Sequence, residues 1–198
     1  MVRRSAFVRP SGGRSYRKWL VIGTEGRVTE PEYFTILRVL YPDSDCLLKP
    51  ARTSSSNCSS PQEVLQSVER WISKNGPLKK SDEAWLVVDK DSWTREQLRE
   101  LSDWVSEANE HRFGRGLALS DPKFEYWLLL HFEDTNAANS DDCTRQLKKH
   151  LPSYDKHIGD RDFSQQRIQL AISRARQRDG HSGGASTTVY KLVESFLS

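Results

Sequence analysis

Short apolar runs that alternate with capped amphipathic stretches constrain this chain more than any other feature. Lys18 to Gly23 reads as a strand. Thr29-Glu30-Pro31-Glu32 then opens a helix with a capping box: Thr29 at the cap, proline inside the first turn and Glu32 three residues on. Tyr33, Phe34, Leu37 and Leu40 form its apolar stripe. A second strand around Cys46 to Lys49 is followed by a serine-rich loop, Thr53 to Ser59, which buries little and is within reach of a substrate. Ser60-Pro61-Gln62-Glu63 repeats the capping chemistry ahead of Val64, Leu65, Val68, Trp71 and Ile72, and Asn75-Gly76-Pro77 ends that helix. Ala84 to Val88 is a third strand, Thr94 with Gln97 caps a helix carrying Leu98, Leu101, Val105 and Ala108, and Gly116 to Ser120 is a fourth strand.

Strand and helix alternating four times predict an α/β fold: a mostly parallel four-stranded sheet with right-handed crossovers, flanked by helices. Asp121-Pro122 begins a further helix, Lys123 to His131, with almost no polar face, so it is expected to be buried on all sides. Asp141 to His150 and Phe163 to Arg178 read as polar helices, Gly180 to Gly184 as a loop, and Val189, Leu192, Val193 and Phe196 as a terminal amphipathic helix. The expected organisation is a basic arm over 1–17, a core over 18–133 and a helical C-terminal extension over 134–198 packed on that core.

A chain of 198 residues holds one such domain with an appendage rather than two equal domains. No apolar stretch approaches bilayer length and the first residues lack a secretory segment, so a cytoplasmic protein without a membrane partner is expected. Cys46, Cys58 and Cys143 show no paired spacing, which speaks against both a disulfide framework and a zinc knuckle. The net charge is only +3, yet Arg3, Arg4, Arg9, Arg14, Arg17 and Lys18 stand together with no acid among them. That arm reads either as a grip on phosphate backbones or as a solvated tail.

The chemistry is carried by acids placed just past two strands: Glu25 after the first, Asp89 and Asp91 after the third. Carboxyl ends of strands in an open α/β sheet face the ligand crevice. Magnesium takes oxygen ligands and keeps several waters, so a few carboxylates on neighbouring strand ends can hold it against a phosphate. Glu125 is a further candidate ligand, because a carboxylate in an apolar helix calls for a cation or a donor, an ion pair being the alternative. Thr24 and Gly26 flank the first acid as candidate substrate contacts, the glycine either admitting a phosphate or serving a positive-φ turn. Lys90 sits between the aspartates, a phosphate contact or a solvated side chain. His131 reads as a satisfied core histidine. Arg167, Arg174, Arg176 and Arg178 offer a second phosphate track beside the arm.

Glu25-Gly26 and Asp89-Lys90-Asp91 resemble the two signatures of Toprim domains. More closely, Gly23-Thr24-Glu25-Gly26 with Thr29-Glu30-Pro31-Glu32-Tyr33-Phe34, then Ser120-Asp121-Pro122-Lys123-Phe124-Glu125-Tyr126-Trp127-Leu128-Leu129-Leu130-His131-Phe132, and the ending from Ala185 to Glu194, resemble the RloB family. The resemblance implies a Toprim-like catalytic core and a Mg²⁺-dependent nuclease, with Mn²⁺ able to substitute, acting on DNA or RNA, transfer RNA included, in restriction or antiphage defence. It places Glu25, Asp89, Asp91 and Glu125 in metal and acid/base roles, Thr24, Gly26, Arg17, Lys90 and Arg174 against substrate, and a partner ATPase of the RloA type alongside. One departure is Asp121, where the family commonly has Asn. No Gly-x-x-x-x-Gly-Lys-Ser motif is present, so ATP hydrolysis would belong to that partner. Two other readings stay open: a haloacid-dehalogenase-like phosphotransferase with Asp89 as nucleophile, because Val88-Asp89-Lys90-Asp91 also resembles that motif, and a non-catalytic sensing or docking subunit.

Overall fold

The computed structural model describes residues 16–52, 60–90, 93–107, 112–137, 139–180 and 184–198. The first half follows the predicted alternation: β1 (Lys18–Thr24), α1 (Thr29–Leu40), β2 (Cys46–Ala51), α2 (Pro61–Asn75), β3 (Glu83–Asp89), α3 (Arg95–Ser106) and β4 (Gly114–Asp121). Next come α4 (Phe124–Leu129), α5 (Ser140–His150), a single 3-10 turn at Asp160–Asp162, α6 (Gln165–Arg178), β5 (Ser186–Thr187) and α7 (Val189–Leu197). The basic arm up to residue 15, the serine-rich loop 53–59, Asp91 and Ala108 lie outside the described residues.

The sheet has five strands rather than four, in the order β2-β1-β3-β4-β5. The first four run parallel, and β5 pairs antiparallel with β4, Ser120 opposite Thr187 and Asp121 opposite Ser186. Two polar residues show no alternation, which is why β5 leaves no strand pattern in the sequence. Side-chain bonds tie it in: Ser120 and Thr187 hydroxyls meet at 2.9 Å, and Leu119 N–H donates to Thr188 Oγ1 at 2.9 Å. Because β1 connects outward to β2 and β3 lies on its other side, the crevice between β1 and β3 is a topological switch point, where open sheets of this kind bind ligands.

Strand residues divide by parity between two cores. Val21, Ala84, Leu86 and Val88 face α2 and α3 together with Val64, Val68 and Leu101. Leu20, Ile22, Val87 and Ala118 face the larger core built from α1, α4 and the elements after residue 139. There Tyr33 packs edge-on against Phe124 at 5.6 Å, Trp127 at 6.0 Å, His131 at 5.5 Å and Phe163 at 5.8 Å, a geometry that favours aromatic pairs beyond the area they bury. All six residues of α4 are buried, as its composition predicts. His131 is the satisfied core histidine expected: its Nδ1 faces Trp127 O at 2.9 Å and its Nε2 faces Tyr33 Oη at 3.2 Å, and burial pulls its pKa down to about 3.

The Thr94/Gln97 capping box forms as predicted. The one expected at Thr29 does not: Val28 is the cap of α1, and Thr29 and Glu32 turn instead to residues 154–158. Among the described residues no helix is long and apolar enough to cross a membrane.

Gly23 lets α2 lie directly on β1. A Cβ there would stand 2.7 Å from Val68 Cγ2 and 3.0 Å from the Val64 carbonyl oxygen. Gly23→Ala is therefore expected to destabilise the fold by about 1–3 kcal/mol through overpacking, read as a lower denaturant midpoint with an unchanged slope; wild-type stability would contradict this packing.

Candidate functional site

The candidate site forms where the chain leaves β1 and β3. Glu25 N–H donates to Val87 O at 3.1 Å, which continues the β1–β3 ladder one residue past the strand and sets the glutamate beside Asp89. Glu25 Oε2 then accepts from Asp89 N–H at 3.2 Å and from Trp93 Nε1–H at 2.8 Å. Thr24 Oγ1 donates to Gly26 O at 2.8 Å, closing the turn that carries Glu25. Gly26 does not have a positive φ, and a Cβ there would fall 1.9 Å from Glu30 Oε2, the movable end of a long side chain. The space is taken by the Glu30 carboxylate, whose Oε1 accepts from Gly26 N–H at 2.8 Å.

Asp89 has the parity of Val87, so its carboxylate points toward α4, where Phe124 N–H donates to Oδ1 at 2.8 Å. Burial, then the charges of Glu30, Glu25 and Glu125, push the Asp89 carboxyl well above the usual range. Glu30, 5% exposed, is raised to about 7, first by burial and then by Glu125 and Glu25, against the lowering effect of backbone donors. Four carboxylates from β1, α1, β3 and α4 thus share one electrostatic neighbourhood at the switch point.

Glu125 answers the demand its position makes. Its Oε1 accepts from Tyr154 Oη–H at 2.8 Å and pairs with Lys156 Nζ at 3.1 Å. Burial works to raise its pKa, but Lys123, Lys156 and Tyr154 outweigh it and hold the carboxyl low. Lys156 in turn loses some solvation, yet Glu125, Glu30 and Asp89 raise its pKa overall. Its backbone lies at φ 92°, uncommon for a residue with a Cβ. Thr29 Oγ1 fixes that conformation by donating to Lys156 O at 2.7 Å, and Glu32 anchors the next turn through Ile158 N–H at 2.9 Å and His157 Nδ1 at 2.7 Å. Nothing in the sequence singles out Tyr154, Lys156 or Trp93. The solitary acid in α4 signals that a cation must come, without saying from where.

Other predicted contacts are placed elsewhere. Lys90 pairs with Asp121, which gives the aspartate a role as acceptor. Arg17 precedes β1 and donates to Ser44 O, at the far end of a seven-residue strand from Glu25, about 25 Å away at the rise of a strand. It cannot touch a phosphate bound at Glu25, because a parallel sheet puts all its strand beginnings on the opposite side. Arg174 Nη1–H donates to Leu130 O at 2.7 Å, Arg178 pairs with Asp134 at 2.5 Å, Arg176 pairs with Glu194, and Arg167 lies over the Phe132 ring. Each of the expected α6 arginines thus has a partner within the chain, Arg174 and Arg178 half-buried and Arg167 and Arg176 exposed.

Carboxylate oxygens are the donors magnesium prefers, and magnesium needs only one or two from the protein because waters and substrate phosphates complete its octahedron. Among the described residues no three His, Cys, Asp or Glu side chains are disposed as a ready metal cage. The donor chemistry fits an ion held jointly with a phosphate and not one enclosed by protein alone.

The family model described as RloB-like protein matches residues 20–196, nearly the whole chain. No curated protein and no solved structure matches it.

Glu30 keeps its proton in the folded chain at pH values where the unfolded chain has lost it, so stability falls as pH rises from about 4.5 to about 7. Glu30→Gln retains an acceptor for Gly26 N–H and removes that titration. In EDTA its stability should equal that of wild type below about pH 4.5 and exceed it by up to about 3 kcal/mol at pH 8, measured by urea unfolding across the range; parallel pH profiles would refute the assignment.

Proposed function

The chain belongs to the RloB-like family, and we propose that it is a Mg²⁺-dependent nuclease hydrolysing phosphodiester bonds of DNA or RNA, with a Toprim-like core. One observation carries this reading: Glu25, Glu30, Asp89 and Glu125 lie close enough at the switch-point crevice to act on one another, and burial, followed by that mutual repulsion, raises both Asp89 and Glu30. A cluster of like charges that cannot all ionise alone is a place prepared for a cation. Asp89 and Glu25 are the residues that would hold it, with Asp91 next along the chain. Bound there, magnesium would supply a Lewis acid that activates a water and offsets phosphate charge.

The remaining roles fall to the chain itself. Trp93 Nε1–H and the Asp89 amide orient Glu25 so that its carboxylate does not rotate away from the crevice. Glu30, with a pKa near neutrality, is suited to take a proton from an attacking water or return one to a leaving oxygen. Lys156, held over the acids by Glu125 and by the clamped backbone, is a fixed positive charge facing the place where negative charge grows. Gly26 lets the Glu30 carboxylate lie close against the turn that carries Glu25. In this reading the protein acts in restriction or antiphage defence beside a partner ATPase, with transfer RNA among the possible targets.

Asp89→Asn, close in shape to wild type, is expected to lower Mg²⁺- or Mn²⁺-dependent cleavage of single- and double-stranded DNA and RNA by about 10³-fold or more, on the order of 4 kcal/mol in the barrier, with its circular dichroism spectrum unchanged. Cleavage retained in this variant would overturn the nuclease reading. A phosphoryl group trapped on Asp89 would replace it with phosphotransfer.

A further inference from the structure

Arg52, just past the carboxyl end of β2, lines several cavities and joins the one beside the carboxylate cluster to one along α2. One, of about 220 Å³, is lined by Thr24, Gly26, Arg27, Pro31 and Arg52 and opens next to the turn that carries Glu25. Another, an open trough of about 350 Å³, runs from Arg52 along α2, lined by Ser67, Arg70, Trp71, Lys74 and Asn75. Positions 67, 70, 71 and 74 follow helical spacing and form one face of α2. The acid in the middle of that helix lies elsewhere: Glu69 acts on Arg115, and Glu63 sits in the first turn and does not line the trough. Lys49 adds a further cation close by, over the Trp19 ring, whose edge meets Trp71 at 5.8 Å. Neither Arg52 nor Lys74 forms an ion pair with any described residue.

On this basis, and resting on the nuclease reading, we propose that the Arg52 trough along α2 is the track for the sugar-phosphate backbone of a single-stranded segment entering the carboxylate site. Arg27 and Arg52 stand nearest the acids, where the phosphates flanking the cut would lie. Arg70 and Lys74 meet the next phosphates outward. A row of cations beside an indole suits an unpaired strand, whose phosphates seek the charges and whose bases can stack. Arg174 and Arg178 of α6, by contrast, are half-buried against Leu130 O and Asp134.

The test is binding of a fluorescent 12-nucleotide single strand, RNA and DNA in turn, to full-length Asp89→Asn protein in EDTA, by anisotropy across a salt series. Adding Arg52→Glu and Lys74→Glu together should weaken binding at least tenfold and reduce the slope of log K against log salt by about 1.4, the value for two lost single-strand phosphate contacts. Lys148→Glu with Lys149→Glu, exposed on α5, should leave both unchanged. The gentler Arg52→Ala with Lys74→Ala, at unchanged melting temperature, should give a smaller loss of the same kind. Wild-type affinity in both trough variants would overturn the proposal even where wild-type protein cleaves nucleic acid. Loss of binding in those variants from a chain that cleaves nothing would keep the track and remove the nuclease. Equal binding of a duplex, or of polyglutamate, with the same sensitivity to the trough variants would overturn the single-strand assignment.

Discussion

A charged carboxylate in a helix buried on every side is the constraint from which much of this structure follows. Glu125 must be met, and Lys156 and Tyr154 meet it from a segment about thirty residues later in the chain. Bringing them there requires that the segment be pinned to α1, and Thr29 and Glu32 are spent on that pinning rather than on capping their own helix. The residues after 139 are thus more than an appendage. They supply the cation over the acids, a fifth strand and much of the larger core.

The same charge logic links stability to function. Asp89 and Glu30 are held in a state that favours their protonated forms because burial excludes water and, after that, because other acids crowd them. Burying acids together in this way costs stability, and perturbed carboxyls of this kind cluster at functional sites. Lys156 relieves part of the repulsion by pairing directly with Glu125.

The basic residues divide along a similar line. Those on α6 are engaged by backbone carbonyls, acids and an aromatic ring, and they brace the helical layer. Those lining the trough run along one face of α2 from Arg52, at the carboxyl end of β2. Charge counted along a sequence treats the two groups alike; only the identity of their neighbours separates them.

The amino-acid sequence by itself determined the alternation of β1 to β4 with α1 to α3, the burial of α4, and the placing of Glu25 and Asp89 at strand ends. Each of these rests on short-range periodicity and capping, which neighbouring residues encode. The strand order, the two-residue β5, the failure of the Thr29 capping box and the arrival of Tyr154 and Lys156 at Glu125 were decided only in three dimensions. They depend on partners tens of residues apart, and a hydrogen bond or ion pair between such partners leaves no local pattern to read. Gly26 shows the difference in one residue: the sequence marks it as a turn glycine, while in the fold the carboxylate of Glu30 lies where its side chain would be.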